Sequence, residues 1–251
     1  MARVGAPAWR ISRAVTRRLP LKWVRSRAER PLASITFDDF PKSAWTVAGP
    51  ILERYAAKAT YYTAGRFCGL SEDGIDYYDA ADLLAVSRAG HEIGAHSFGH
   101  RMAPEVATAD LLADAERNAA FLAERLGDGG VSSYAYPYGE ASPRSKAVMA
   151  SRFATARGIG KGVNAGVIDL AELKAIPLEV RRWRPDEIDA AIAKAKALRG
   201  WLIFFTHDIS DAPAPFGATP DMLVHLLDRL TAEGVEILPV KHAMARAVFG
   251  G

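Results

Sequence analysis

The stretch Leu32-Ala33-Ser34-Ile35-Thr36-Phe37-Asp38-Asp39-Phe40 decides the fold. Its apolar, β-branched run predicts a buried strand over 33–37, and it ends on two adjacent carboxylates. Carboxylates at the end of a buried strand are costly to place without a cation or a catalytic task. Successive residues of an extended segment point to opposite sides, so one Asp can face a metal while its neighbour faces a substrate. A helix cap or a plain turn is the bland alternative for the same pair.

Outward from this run the same pattern repeats. Strand-like runs at 59–63, 92–95, 133–136, 153–156, 201–206 and 235–239 alternate with segments of helical period at 43–57, 80–89, 108–126, 143–150, 185–198 and 219–232. Start signals stand at Thr108, Ser142-Pro143 and Thr219-Pro220, and Gly90, Gly127, Gly200 and Gly234 stand where helices should stop. Sustained alternation of this kind predicts an α/β fold, a parallel sheet with crossover helices, either open and doubly wound or closed as a barrel. In both, chemistry gathers beyond the carboxyl ends of the strands, so polar residues directly after an apolar run are the candidates.

Composition limits that chemistry. With 251 residues, 49% hydrophobic and 24% charged, the chain has material for a full core, and no apolar run is long enough to span a membrane. Cys68 is the single cysteine, which excludes a disulfide framework and multi-thiolate metal sites. A metal must therefore rest on His and carboxylate. Residues 1–30 hold nine Lys or Arg against Glu29 alone, while the remaining residues are mildly acidic with 23 basic and 28 acidic side chains. This reads as a basic extension over 1–30 followed by one domain over 31–251, and it argues against a nucleic-acid surface on the domain. Arg10, Arg13, Arg17 and Arg18 interrupt any secretory apolar stretch, so the expected location is cytoplasmic. Ile11, Val15 and Leu19 recur every four residues and leave open a basic amphipathic helix in peripheral contact with an anionic membrane.

Three further strand ends carry candidate groups. His96-Ser97-Phe98-Gly99-His100 follows the 92–95 run, and its histidines have the i, i+4 spacing of a metal chelate. A hydrogen-bonded histidine pair is the plain alternative, and His91, which precedes the run, reads as structural. Tyr134-Ala135-Tyr136-Pro137-Tyr138-Gly139 suits either a sugar groove with an exposed N–H or ordinary turn packing. His207, just beyond 201–206, is placed as a general acid or base. His225, His242 and Cys68 read as packing or surface residues.

These four segments, in this order, resemble the polysaccharide deacetylase family, also called carbohydrate esterase family four, over roughly residues 32 to 240. The matching residues are Thr36-Phe37-Asp38-Asp39, His96-Ser97-Phe98-Gly99-His100, Pro137-Tyr138-Gly139 and His207. The resemblance implies a distorted (β/α) barrel of about seven strands with a divalent metal, usually zinc, on Asp39, His96 and His100. It further implies Asp38 as catalytic base, the Tyr138 N–H as oxyanion donor, His207 as general acid, and a carbohydrate with an N-acyl amino sugar as substrate. Many members carry an Arg two residues before the Pro of the third motif, bracing the base; Ala135 stands there in this chain. Another motif, an acidic pair before Trp, is reduced to Glu179-Val180-Arg181-Arg182-Trp183. Arg181 or Arg182 is therefore expected to supply the brace, and Asp208 or Asp211 to orient His207. A deformylase or other amidohydrolase, a non-haem iron oxygenase on two His and one carboxylate, and a non-catalytic carbohydrate-binding protein are the alternatives.

Overall fold

The structure, a computed structural model, describes residues 16–127 and 130–250. Its strands are β1 (Trp23–Arg25), β2 (Leu32–Asp38), β3 (Thr60–Thr63), β4 (Ser71–Glu72), β5 (Ile75–Asp76), β6 (Glu92–Ala95), β7 (Ser133–Ala135), β8 (Thr155–Arg157), β9 (Val167–Asp169), β10 (Ile176–Pro177), β11 (Trp201–Thr206) and β12 (Glu236–Ile237). A parallel sheet runs in the order β10-β11-β2-β3-β6-β7-β8, with β12 also against the start of β2. The sheet curls into a distorted barrel, as expected. Its two ends are bridged by the chain between β9 and β10: Leu173 N–H donates to the Ala156 carbonyl, and Ala175 N–H to that of Gly160.

Alternation along β2 divides the core. Ala33, Ile35 and Phe37 pack outward with the helices Ala80–Arg88, Pro185–Leu198 and Pro220–Ala232. Leu32, Ser34, Thr36 and Asp38 face inward, where Leu32 joins Tyr62, Trp201, Ile203 and Phe205. The Trp201 indole N–H donates to Ser34 Oγ at 3.0 Å, which satisfies the polar atom of a buried ring. A terminal helix, Val240–Phe249, closes the amino-terminal mouth of the barrel with Val240, Ala243 and Ala247. The sequence reading places His242 in a helical segment there, without giving its bounds. Its first N–H groups are taken by Thr60 Oγ1 and by the buried Glu92 carboxylate, which also accepts from Thr60 and Ser133 hydroxyls.

Three further boundaries differ from the sequence reading. The helix expected over 43–57 is two helices, Ser43–Thr46 and Ala48–Arg54, because Pro50 lacks the N–H that would bond back across the break. At the end of Pro185–Leu198 it is Arg199 that takes the left-handed conformation, with φ of 47°. Gly200 is needed instead for space, since a Cβ there would lie 2.3 Å from Val163 Cγ1. The boundary near residue 30 is also displaced. β1 pairs with β9, the Asp169 carboxylate accepts from Lys22 N–H, and the buried Lys146 ammonium donates to the Thr16 and Leu19 carbonyls. Residues 16–30 are thus tied to the barrel by these contacts. Ile11 and Val15, two of the three apolar positions of the expected amphipathic helix, lie outside the described residues. No helix among the described residues is long and apolar enough to cross a membrane.

His91 is structural, as its place before β6 implied: its Nδ1 accepts the Ala59 N–H at 3.0 Å. Burial, with a smaller contribution from Lys58, lowers its pKa from 6.5 to about 4. A histidine depressed in the folded state contributes stability that is present above pH 6.5 and lost as pH falls toward 4. Roughly 2–3 kcal/mol should disappear across that window. Urea unfolding above and within it should show a steeper pH dependence for the wild type than for His91→Gln; equal slopes would disprove the assignment.

Candidate active site

Asp38 is the last residue of β2, and the chain then turns through left-handed conformations at Asp39 and Phe40, with φ of 64° and 57°. The same unusual conformation recurs at Ser97, His100 and Tyr138. Five of the eight non-glycine residues with positive φ among the described residues therefore lie in three loops at one end of the barrel. Such strain persists only where the surroundings hold it, and it concentrates at functional sites. Here the holding is visible. Asp114, on the helix Thr108–Leu126, accepts the N–H groups of Phe98 and Gly99 at 2.8 and 3.0 Å. Asn118, one turn on, accepts the Gly65 N–H and donates to the Thr63 carbonyl.

The loops meet around a cleft of about 280 Å³ lined by Asp38, Asp39, His96, His100, Tyr138 and His207. Asp39 Oδ1 stands 3.3 Å from His96 Nε2 and 3.1 Å from His100 Nε2. Burial by itself would raise the Asp39 carboxyl, but His100 and His96 outweigh it and hold it well below the usual carboxylate range. Burial opposes protonation of His96, and the Asp39 and Asp38 carboxylates overcome it and raise its pKa. His96 Nδ1 lies 2.9 Å from the Ala135 carbonyl, an acceptor only, so that nitrogen carries the proton and Nε2 is turned into the cleft.

These three residues fit a divalent cation. Their donor atoms all lie within 4.8 Å of one another, and Asp39 Oδ1 is buried without a hydrogen-bond donor. Two imidazoles and a carboxylate are a borderline donor set suited to zinc and its first-row neighbours.

The brace on Asp38 is Arg157, which the sequence reading did not single out. Arg157 is fully buried at the end of β8, and its Nη2 lies 2.5 and 2.6 Å from the two Asp38 oxygens. Its guanidinium lies beside the Tyr62 and Phe205 rings at about 5 Å. Arg157 sits directly across the parallel ladder from Ala135. The arginine missing at 135 is thus supplied one strand over, and its position immediately after the apolar run 153–156 was its sequence signal. Arg181 does not reach Asp38: its Nε donates to the buried Glu179 at 2.7 Å, and Arg182 lies 3.8 Å from the same carboxylate.

Asp208 also departs from expectation. The partner of His207 Nδ1 is the Phe216 carbonyl at 3.2 Å, which leaves Nε2 facing the cleft, 3.9 Å from Asp39 Oδ2. Asp208 shapes the loop that presents this carbonyl, accepting Ala214 N–H on its side chain and Ala218 N–H on its backbone. Asp211 is an exposed residue of that loop. Cys68 lies outside the cleft lining with its thiol pKa raised, chiefly by burial, and His225 packs edge-on against Trp183.

Comparison with known proteins agrees with this geometry. The profile of the polysaccharide deacetylases matches residues 25–153. Among solved structures, a family 4 carbohydrate esterase from Streptomyces lividans in complex with acetate is similar at 18% identity and a TM-score of 0.58, over 84% of this chain and 92% of that one. A family 4 acetyl xylan esterase from Clostridium thermocellum in complex with a cobalt ion gives 20% identity and 0.58, over 85% and 90%. A CE4 family pseudoenzyme from Bacillus anthracis gives 13% and 0.61, over 90% and 69%. No curated protein matches the chain.

Removing Arg157 should leave a buried, uncompensated carboxylate, at a cost of about 3–5 kcal/mol. Arg157→Met should therefore unfold at markedly lower urea, and Asp38→Asn in the same chain should recover part of the loss. Strictly additive effects in this double-mutant cycle would show that the pair is not coupled.

Proposed function

The chain belongs to the polysaccharide deacetylase family, and on that premise we propose that it is a metal-dependent hydrolase that removes acetyl groups from an N-acetylated amino sugar. The observation that carries the reading is the Arg157-paired Asp38 set beside the Asp39, His96 and His100 cluster in one cleft, with His207 facing them. Neutral binding of a glycan requires none of this costly buried charge, which supports catalysis over a purely carbohydrate-binding role.

An amide resists hydrolysis because its carbonyl is a weak electrophile and its amine a poor leaving group. A divalent cation held by Asp39, His96 and His100, most simply zinc, would supply Lewis acidity toward the carbonyl and the attacking water. Asp38 takes a proton from that water as the new C–O bond forms. Arg157 fixes the position of the Asp38 carboxylate and offsets its charge inside the barrel. In this reading the backbone N–H of Tyr138 donates to the oxyanion, a contribution of roughly 3–4 kcal/mol for donors of this kind. His207, oriented through Nδ1 by the Phe216 carbonyl, protonates the amine from Nε2 as the C–N bond breaks. The products are acetate and a free amino sugar.

The test is acetate release from a panel of N-acetylated oligosaccharides and nucleotide sugars. Chelation should abolish turnover and added zinc restore it, while Asp38→Asn should lower kcat by about 100-fold or more with metal still bound. Asp39→Asn should weaken zinc binding measured directly by calorimetry. Formate release from N-formyl sugars alone would replace the deacetylase with a deformylase on the same site. Full turnover in Asp38→Asn, or in the chelated protein, would overturn the mechanism.

A further inference from the structure

Glu179, Arg181 and Arg182 line the same cleft, on the side of His207 and Phe216. The balance of charge there is uneven. Glu179 is 1% exposed and is matched by Arg181, whose Nε donates to it at 2.7 Å. Arg182 is a second guanidinium for the same carboxylate, 3.8 Å away and with its side chain 52% exposed. Of the other acids in the lining, Asp38 faces Arg157, Asp39 lies with His96 and His100, and Asp208 keeps its charge on the neighbouring loop, its Oδ2 accepting the Ala214 N–H and its Oδ1 buried without a partner. Arg182 is thus the guanidinium of the lining that is held least closely by a carboxylate and most open to solvent.

The position of these two guanidinium groups is specific. The Arg181 guanidinium lies over the Phe216 ring with its carbon 3.9 Å from the centroid, and the same ring lies edge-on to His207 at 5.8 Å. Its Nε is committed to Glu179, and the Arg181 side chain is still 39% exposed. The two arginines thus adjoin the proton donor to the departing amine. In a deacetylation that side holds the sugar, and the opposite side holds the acyl group.

We propose that Arg181 and Arg182 bind an oxyanion carried by the sugar itself, so that the substrate is an anionic N-acetyl sugar bearing a phosphoryl or carboxylate group. This rests on the deacetylase reading of the site. Guanidinium donors match the paired oxygens of either group, and a half-shielded cleft strengthens the contact relative to open solvent.

The experiment compares kcat/KM for acetate release by the metal-loaded protein from N-acetylglucosamine 1-phosphate, a nucleoside-diphosphate N-acetylglucosamine, N-acetylmuramic acid and uncharged N-acetylglucosamine and its dimer. The charged sugars should be preferred about tenfold or more, with the preference shrinking as salt is raised. Which charged sugar leads identifies the oxyanion as a phosphate monoester, a diphosphate or a carboxylate. Arg182→Gln should reduce the charged-to-neutral ratio by about tenfold. That variant is chosen because Arg181 continues to pair Glu179, so the fold is kept. Equal use of neutral sugars, or a charge preference that survives Arg182→Gln, would overturn the proposal. If no sugar yields acetate, the deacetylase reading fails, and calorimetry of the same sugars still decides the role of the two arginines. Tighter binding of a charged sugar that is lost in Arg182→Gln upholds it, and equal binding by the variant removes it.

Discussion

A buried ion pair, Asp38 with Arg157, is the constraint on which the rest of this molecule turns. The two residues are 119 positions apart and end strands that are not neighbours in the sheet, so they can meet only across the interior of a curled sheet. A buried pair of this kind rarely adds net stability over an apolar core of the same volume. Its presence is better understood as positioning: one carboxylate is held at the carboxyl end of β2, facing inward, while the next residue turns away toward His96 and His100. The aromatic lining by Tyr62 and Phe205, and the chain that closes the barrel beside β8, follow as the means of enclosing a guanidinium without water.

Much of this was legible in the sequence because it obeys local rules. Asp38, Asp39, His96, His100, Tyr138 and His207 all follow apolar runs, and the structure brings all six to one cleft. Arg157 obeys the same rule, standing directly after 153–156, whereas Arg181 and Arg182 stand in the reduced acidic motif before Trp183. What a linear reading cannot give is the register of two strands. The parallel pairing of Ala135 with Arg157 makes the two positions equivalent for a long side chain aimed at Asp38. A brace is defined by where its guanidinium ends, and a neighbouring strand serves as well as the original one.

The features that were not legible share a different cause. β10 is two residues ending in a proline at the edge of the sheet, too short for any periodicity. The docking of residues 16–30 depends on Lys146 and Asp169, more than 100 residues away, and the seating of the helix around His242 on the barrel depends on a carboxylate at Glu92. Each is decided by a tertiary partner, whereas the strands of the barrel carry their own apolar pattern.

The two imidazoles His96 and His207 are oriented by one device. Each places Nδ1 against a backbone carbonyl, Ala135 for His96 and Phe216 for His207, which fixes the proton on that nitrogen and turns Nε2 to the cleft. A backbone carbonyl imposes no residue type, so the sequence around it is free to change. Ala135 shows how far this freedom extends. Its carbonyl holds His96, and its small side chain faces the barrel interior with Tyr62 and Phe205, beside the arginine of the next strand. Loss of the usual arginine at this position therefore leaves both duties of the strand intact, one through the main chain and one through its neighbour. The departure from the family pattern is a relocation of charge within the same cavity.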